Sequence, residues 1–436
     1  MKRPVIIALL IVALVLVCAG IGSVIFFAAN GGFRANNPFD QRNISSILEE
    51  SKTLKVDTEK PLTLKVIDHA GAVTITGADV ENVQVKAVKT AYDSTQARAD
   101  AEVKTVKYTV EQTGSTITLK YELPKSMNFS NNVNTVDFVV TVPSETTVDV
   151  DTSFGDVNVT DIKGDAVIAT DFGAVTVENV EGALSASSSN GGMNASSIVA
   201  GNKDIALNSE FGSITLKKAN AKNVTLDSNN GTITLGEVRA TNGITAQIDF
   251  GSMTVENGSS DSISIESKNG TVSLVKLRVN KEIKVDNEFG EIELEQAFAS
   301  SYDLRSNGGS ITVDGAKGKL KAHSEFGGIK IENAESITLD LETNNGTVEF
   351  RGSLGEGPHM INSEFGEVDL TLPDDSKLNV DLSTEFGSIK SDLPITVTLN
   401  GTSNSNGDQI VGSINGGGEQ LTIETNNGGV TIHAGE

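Results

Sequence analysis

From about Leu54 the chain alternates apolar and polar residues with a period of two, as in LKVDTEKPLTLKVIDHAGAVTITGADVENVQVKAV. This is the pattern of strands with one buried face. Ser94 to Val106 (STQARADAEVKTV) breaks it and predicts a short polar helix, with Ser94 placed to cap its start. Strands resume at KYTVEQ, STITLKYEL and TVDFVVTV.

From about Val148 the alternation becomes repetitive. A Phe-Gly or Asn-Gly pair followed by x-[Ile/Val/Met]-x-[Val/Leu/Ile] recurs, with its glycine at Gly155, Gly173, Gly191, Gly212, Gly231, Gly251, Gly270, Gly290, Gly309, Gly327, Gly346, Gly366, Gly387 and Gly428. Gly407 is a degenerate member. The steps run from 18 to 21 residues. Short strands and glycine turns at a period of about 20 predict a β-solenoid, here a single-stranded parallel β-helix of about 15 coils. The corner of each coil is assigned to Phe154, Phe172, Phe211, Asn230, Phe250, Asn269, Phe289, Phe326, Asn345, Phe365, Phe386 and Asn427.

In IALNSEFGSITL, Ile205, Leu207, Ser209 and Phe211 share one parity, and Ile214 and Leu216 resume it after Gly212. On this reading Phe or Asn turns inward beside a small polar residue, and Gly follows where a Cβ would be costly. Inward Ser and Asn require hydrogen bonds between coils. One repeat per turn would alternate Phe and Asn in a single column at about 9.6 Å, whereas two per turn would stack each type every 4.8 Å or so. The first arrangement is the favoured one.

The start of the chain has a different pattern. Val5 to Ala29 is an almost unbroken apolar run behind Lys2 and Arg3. It is long enough to span the hydrocarbon of a membrane, with the N-terminus in the cytoplasm. A cleaved signal peptide and lipid attachment at Cys18 are the competing readings. The expected organisation is an anchor over 1–29, a polar linker over 30–53 that begins with the Gly/Asn-rich stretch to Asn43, a β cap with a helical insert over 54–147, and solenoid repeats over 148–436. The expected location is the plasma membrane, single-pass, with the bulk of the chain outside the cytoplasm.

Composition narrows the function. The 436 residues include 43 Gly, 8 Pro, no Trp and 5% aromatics, which suits short strands and tight turns. The net charge is −24, from 34 Lys+Arg against 58 Asp+Glu. Such a surface repels nucleic-acid phosphates and anionic headgroups. Cys18 is the single cysteine and lies in the apolar run, so beyond it neither disulfides nor thiolate metal sites are available.

Repeats such as SEFGSITLKKANAKNVTLDSNNGTITL resemble the bacterial β-helical "putative adhesin" or toastrack-type domains of unknown function. The resemblance runs from about Leu54 to the C-terminus. It implies a β-helix, often attached to a membrane segment and linked to the cell envelope, and it implies no catalytic residues.

Candidate chemistry is sparse. His69, His323, His359 and His433 fall in different repeats and read as surface or turn residues. Serine fills inward slots, and no G-x-S-x-G elbow occurs. Asp171, Glu210, Asp249, Glu288, Glu325, Glu364 and Glu385 recur at one repeat position, before Phe, and read as a solvated column. A cation-binding stripe is the other reading, but carboxylates on alternate coils are too far apart to share one calcium ion. A polysaccharide-acting β-helix enzyme would need aromatic platforms and basic residues, yet beyond Gly155 the only arginines are Arg239, Arg278, Arg305 and Arg351, and Tyr302 is the one repeat tyrosine. The expected role is therefore a non-enzymatic, adhesin-like envelope interaction or scaffold protein, with the polysaccharide lyase or hydrolase as the alternative. No cofactor or metal is expected. The expected partners are the membrane and either envelope proteins or surface glycans. An uncovered last coil adds the expectation of end-to-end self-association.

Overall fold

The computed structural model describes residues 43–57, 59–123, 133–398 and 408–435. Val5 to Ala29, expected as the anchor, lies outside the described residues. Among the described residues no helix is long and apolar enough to cross a membrane.

Two compact units are present. Of the described residues, the smaller takes in 43–47, 90–106 and 133–134. Its helix, Gln96–Glu102, is capped by Thr95 and not by Ser94. Ser94 is diverted because its N–H and hydroxyl both donate to Asp93 Oδ1, at 2.6 and 3.0 Å. Thr95, extended at φ −138° and ψ 152°, accepts from Arg98 N at 3.4 Å. At the other end Asn134 Nδ2 donates to Glu102 Oε1 at 3.1 Å.

The larger unit, described over residues 48–57, 59–89, 107–123, 135–398 and 408–435, is an all-β solenoid of mainly parallel strands. One repeat makes one turn. Phe172 stands in register with Phe154 on one side and Asn190 on the other, and Asn230 with Phe211 and Phe250. In a representative coil, Ile205, Leu207 and Ser209 point inward along the strand Ile205–Phe211, and Ile214 and Leu216 do so along the next. Each buried Ile, Leu or Val is worth about 1.5–3 kcal/mol relative to exposure.

The regular run amounts to about 11 turns, fewer than the 15 expected. Twelve glycines, Gly155 to Gly366, follow one another in both sequence and space and define eleven steps. The count fails beyond them because chain order and spatial order diverge. Gly407 lies outside the described residues. The strand Glu419–Thr425 is inserted between His359–Ser363 and Leu378–Thr384, and Val430–Gly435 sits between Val368–Pro373 and Ile389–Ser391. The final coil in sequence is therefore the penultimate one in space. Asp408–Ile414 runs antiparallel along the far side of Leu378–Thr384. The uncovered C-terminal coil behind the end-to-end expectation is thus flanked on both sides. At the other end Leu62–Asp68 and Val73–Ala78 stack on Thr146–Phe154 and Val157–Ile162, which brings Gly71 into the glycine column.

A second corner went unmarked in the repeat. Six residues after most column glycines the backbone turns left-handed, at Asp161, Asn179, Ser197, Lys218, Glu237, Asn257, Lys276, Gln296 and Asn333, with φ between 51° and 60°. Few of these types favour that region. Gly315 occupies the corner in the coil after Gln296, with φ 76°. Replacing the exposed Gln296 by Gly is expected to raise stability by about 0.5–1 kcal/mol, the relief of left-handed strain less the added freedom of the unfolded chain. A lower urea midpoint for the variant would contradict this.

Candidate functional site

The corner residues of successive coils stand in one column on the outside of the solenoid. In spatial order it runs Phe154, Phe172, Asn190, Phe211, Asn230, Phe250, Asn269, Phe289, Gly308, Phe326, Asn345, Phe365, Asn427 and Phe386. All twelve corner residues assigned from sequence fall on it, and Asn190 and Gly308 fill the remaining places. Inserting the last coil places Asn427 between Phe365 and Phe386, which preserves the alternation.

The expected inward direction of the phenylalanines is wrong. Their exposures run from 47% at Phe154 to 68% at Phe386. The error lies in counting parity through a kink that every coil shares. The ladder pairs Thr170 with Ser188 and Phe172 with Asn190 but skips Asp171, so two successive residues, acid and Phe, both face outward. The interior at this corner has no room for a ring. It is filled by the residue three positions before each glycine, polar in every coil but that of Ile248, and most of these side chains donate to the glycine carbonyl of the preceding coil, whereas the Thr152, Thr170 and Ser267 hydroxyls find no partner. Ser306 Oγ reaches Gly290 O at 2.9 Å, Ser324 Oγ reaches Gly309 O at 3.0 Å, and Asn287 Nδ2 reaches Gly270 O at 2.9 Å. The expected ladder between coils exists, but it runs from side chain to backbone.

The result is an exposed apolar ridge on a rigid framework. Phe154 and Phe172, on adjacent coils, stack with ring centroids 5.1 Å apart and planes 4° apart. From Phe211 onward the rings stand on every second coil. Beside the ridge a shallow groove of about 560 Å3 is lined by Asp227, Gln247, Asp249, Glu266, Lys268, Asp286 and Glu288 among others. Its polar lining follows the coil register, with Asp227, the amide of Gln247, Glu266 and Asp286 on successive coils. Gln247 Nε2 donates to Glu266 Oε2 at 3.2 Å, and Lys268 pairs with Asp249 at 2.7 Å. Among the described residues no group of three or more His, Cys, Asp or Glu is placed to hold a metal ion.

Two titratable groups lie where sequence reading did not place them. His359, expected at the surface, is fully buried, with its Nδ1 accepting from Leu339 N at 3.3 Å. Burial holds its pKa below the usual histidine value. His323 and His433 stay at the surface, beside Glu342 at 3.2 Å and Asp392 at 3.1 Å. Asp68 is also fully buried and occupies the inward polar slot three residues before Gly71, in register with Thr152. Burial pushes its carboxyl up to about 8; a hydrogen bond from Ala70 N at 3.0 Å opposes this and the nearby Asp137 charge adds to it. Asp68 Oδ2 has no hydrogen-bond partner. The signal was available, since Asp68 shares the parity of Leu64 and Val66 and the spacing to glycine of every later Ser or Thr in the slot.

The sequence profile of the family described as Toastrack DUF4097 matches residues 63–326 and 259–433. The chain is similar to several solved structures, three of which follow. One is a "putative adhesin" from Bacteroides fragilis NCTC 9343, at 16% identity, covering 56% of this chain and 96% of that one, with a TM-score of 0.34. Another is a "putative cell adhesion protein" from Clostridium sporogenes ATCC 15579, at 10% identity, covering 89% and 100%, with a TM-score of 0.18. The third is a "putative adhesin" from Parabacteroides distasonis ATCC 8503, at 12% identity, covering 74% and 97%, with a TM-score of 0.26. At such low identities and scores none of the three bears on function. No curated protein matches the chain.

Proposed function

This chain belongs to the Toastrack DUF4097 family, and on that footing we propose that it is a non-enzymatic interaction scaffold of the cell envelope. Val5 to Ala29 would hold it in the plasma membrane, with the solenoid outside the cytoplasm. The observation that carries this reading is the outer ridge of eight phenylalanines, each about half exposed or more. Leaving a Phe in water forfeits much of the roughly 1.5–3 kcal/mol that burial would return. A regular apolar stripe flanked by charge is the signature of a contact surface. The coil framework fixes the rings before any partner arrives, which lowers the ordering cost of binding.

The test is cosedimentation of the full-length protein with insoluble envelope preparations. The comparison is a variant carrying Asn at Phe250, Phe289 and Phe326. Asn already occupies this column, so the fold is expected to keep its melting temperature. Retention is expected to fall several-fold in the variant. Equal retention of both proteins would remove the ridge from the function.

The acidic groove favours a second reading, a polysaccharide lyase or hydrolase, because Glu266 and Asp286 stand on adjacent coils. Paired carboxylates at roughly 5 Å serve retaining glycosidases. Release of reducing ends from envelope polysaccharide, lost in Glu266→Gln, would establish that reading in place of the first.

A further inference from the structure

We infer that the ridge is a docking rail for a basic polypeptide segment in the polyproline II conformation; this partner class rests on the proposed reading of the ridge as a contact surface. Three features converge on it.

The first is spacing. Phe211, Phe250, Phe289, Phe326, Phe365 and Phe386 stand on every second coil, about 9.6 Å apart given the strand separation. A polyproline II helix repeats every three residues at 3.1 Å each, about 9.3 Å per turn. Every third side chain of such a segment therefore meets an equivalent ring. Over four turns the mismatch accumulates to only about 1 Å. An extended β-strand presents the same face every ~6.7 Å and an α-helix turns every ~5.4 Å, and neither period fits.

The second is charge. Each of these six rings is immediately preceded by an acid: Glu210, Asp249, Glu288, Glu325, Glu364 and Glu385. Of the six, Asp249 alone forms an ion pair, with Lys268. The other five leave a carboxylate beside an exposed aromatic face, which suits a guanidinium or ammonium group through ring and carboxylate together. A chain of net charge −24 repels an acidic ligand and attracts a basic one.

The third is the filling between the rings. Asn230, Asn269, Asn345 and Asn427 alternate with the phenylalanines. Asn345 uses one amide N–H on Glu325 O at 3.3 Å and keeps another, together with its oxygen. Polyproline II backbone makes no internal hydrogen bonds, so its carbonyls are available to such amides.

The experiment titrates the full chain against a fluorescent peptide of repeated Pro-Pro-Arg triplets. The controls are a Gly-Gly-Arg peptide of equal charge and a Pro-Pro-Glu peptide. The Pro-Pro-Arg peptide is expected to bind about tenfold more tightly than Gly-Gly-Arg, and Pro-Pro-Glu to show no binding. Phe250→Asn with Phe289→Asn is expected to weaken binding about tenfold, and Glu288→Gln with Glu325→Gln to weaken it and flatten its salt dependence. Equal binding of the two arginine peptides, or of the wild type and the Phe variant, would overturn the proposal by showing charge attraction alone. If the peptide fails while envelope retention still depends on the phenylalanines, this partner class falls and the contact surface stands. If neither depends on them, both fall.

Discussion

Gly270→Ala is expected to destabilise the solenoid by about 4 kcal/mol or more, beyond the usual range for one methyl group. The cause is local and steric. A Cβ at Gly270 would overlap the carbonyl oxygen of Gly251 in the preceding coil, and the same relation repeats up and down the column. Neither partner can yield, because both belong to the backbone ladder: Gly251 N donates to Asn269 O, and Gly270 N to Phe289 O. Gly270 also sits at φ 131°, a region that disfavours side chains. Each coil touches chiefly its neighbours, so the damage is expected to concentrate there, with amide exchange fastest in the coils around 251–290. Gly114→Ala is the control. It has positive φ, 61°, but nothing within 4 Å of a new Cβ, so it is expected to lose about 1 kcal/mol from strain alone. Similar losses for the two variants would show that close packing of the glycine column is not what holds the coils together.

Asp68→Asn is expected to stabilise the protein above neutral pH, by about 2–5 kcal/mol at pH 9. The folded carboxyl titrates at about 8 against 3.8 when unfolded, with burial the main cause. Below about pH 4 both states hold the proton and Asp68 carries no penalty. Between about 4 and 8 the folded state binds more protons than the unfolded, so stability falls as pH rises. Above about 8 the folded group ionises too and the loss levels off. Asn is already accepted in this slot at Asn287. The difference in urea midpoint between variant and wild type is therefore expected to widen from pH 5 to about pH 8 and to level off by pH 9. A constant difference across that range would mean that Asp68 is ionised in the fold.

Much of this architecture was legible because its repeat is carried by the backbone. The column glycines are obligatory wherever coils touch, so their 18-to-21-residue spacing reported one turn each. The direction of Phe211 was not legible, because parity holds only along an unbroken ladder and the kink at Glu210 resets it. The left-handed corner escaped notice for a related reason. Asp161, Asn179, Asn257, Asn333 and Gly315 are types that favour it, but packing imposes it on Lys218 or Gln296 against their preference, so the mark is broken from coil to coil. His359 differs again, since a lone histidine in a turn-rich stretch looks the same whether it faces water or the core. The insertion of Glu419–Thr425 between two earlier strands depends on contacts remote in sequence, and no local pattern encodes it.

That insertion has a consequence for how the protein is made. A ribosome emits residues 378–391 before residues 419–435, yet the later segment lies deeper in the stack. Until it arrives, His359–Ser363 and Leu378–Thr384 cannot both be paired on their facing edges, so a nascent or prematurely stopped chain keeps a two-sided vacancy of unpaired strand. The last coil thus works as a keystone: only a polypeptide translated past residue 419 can close its own stack, and shorter products remain marked by open edges that proteases and chaperones recognise.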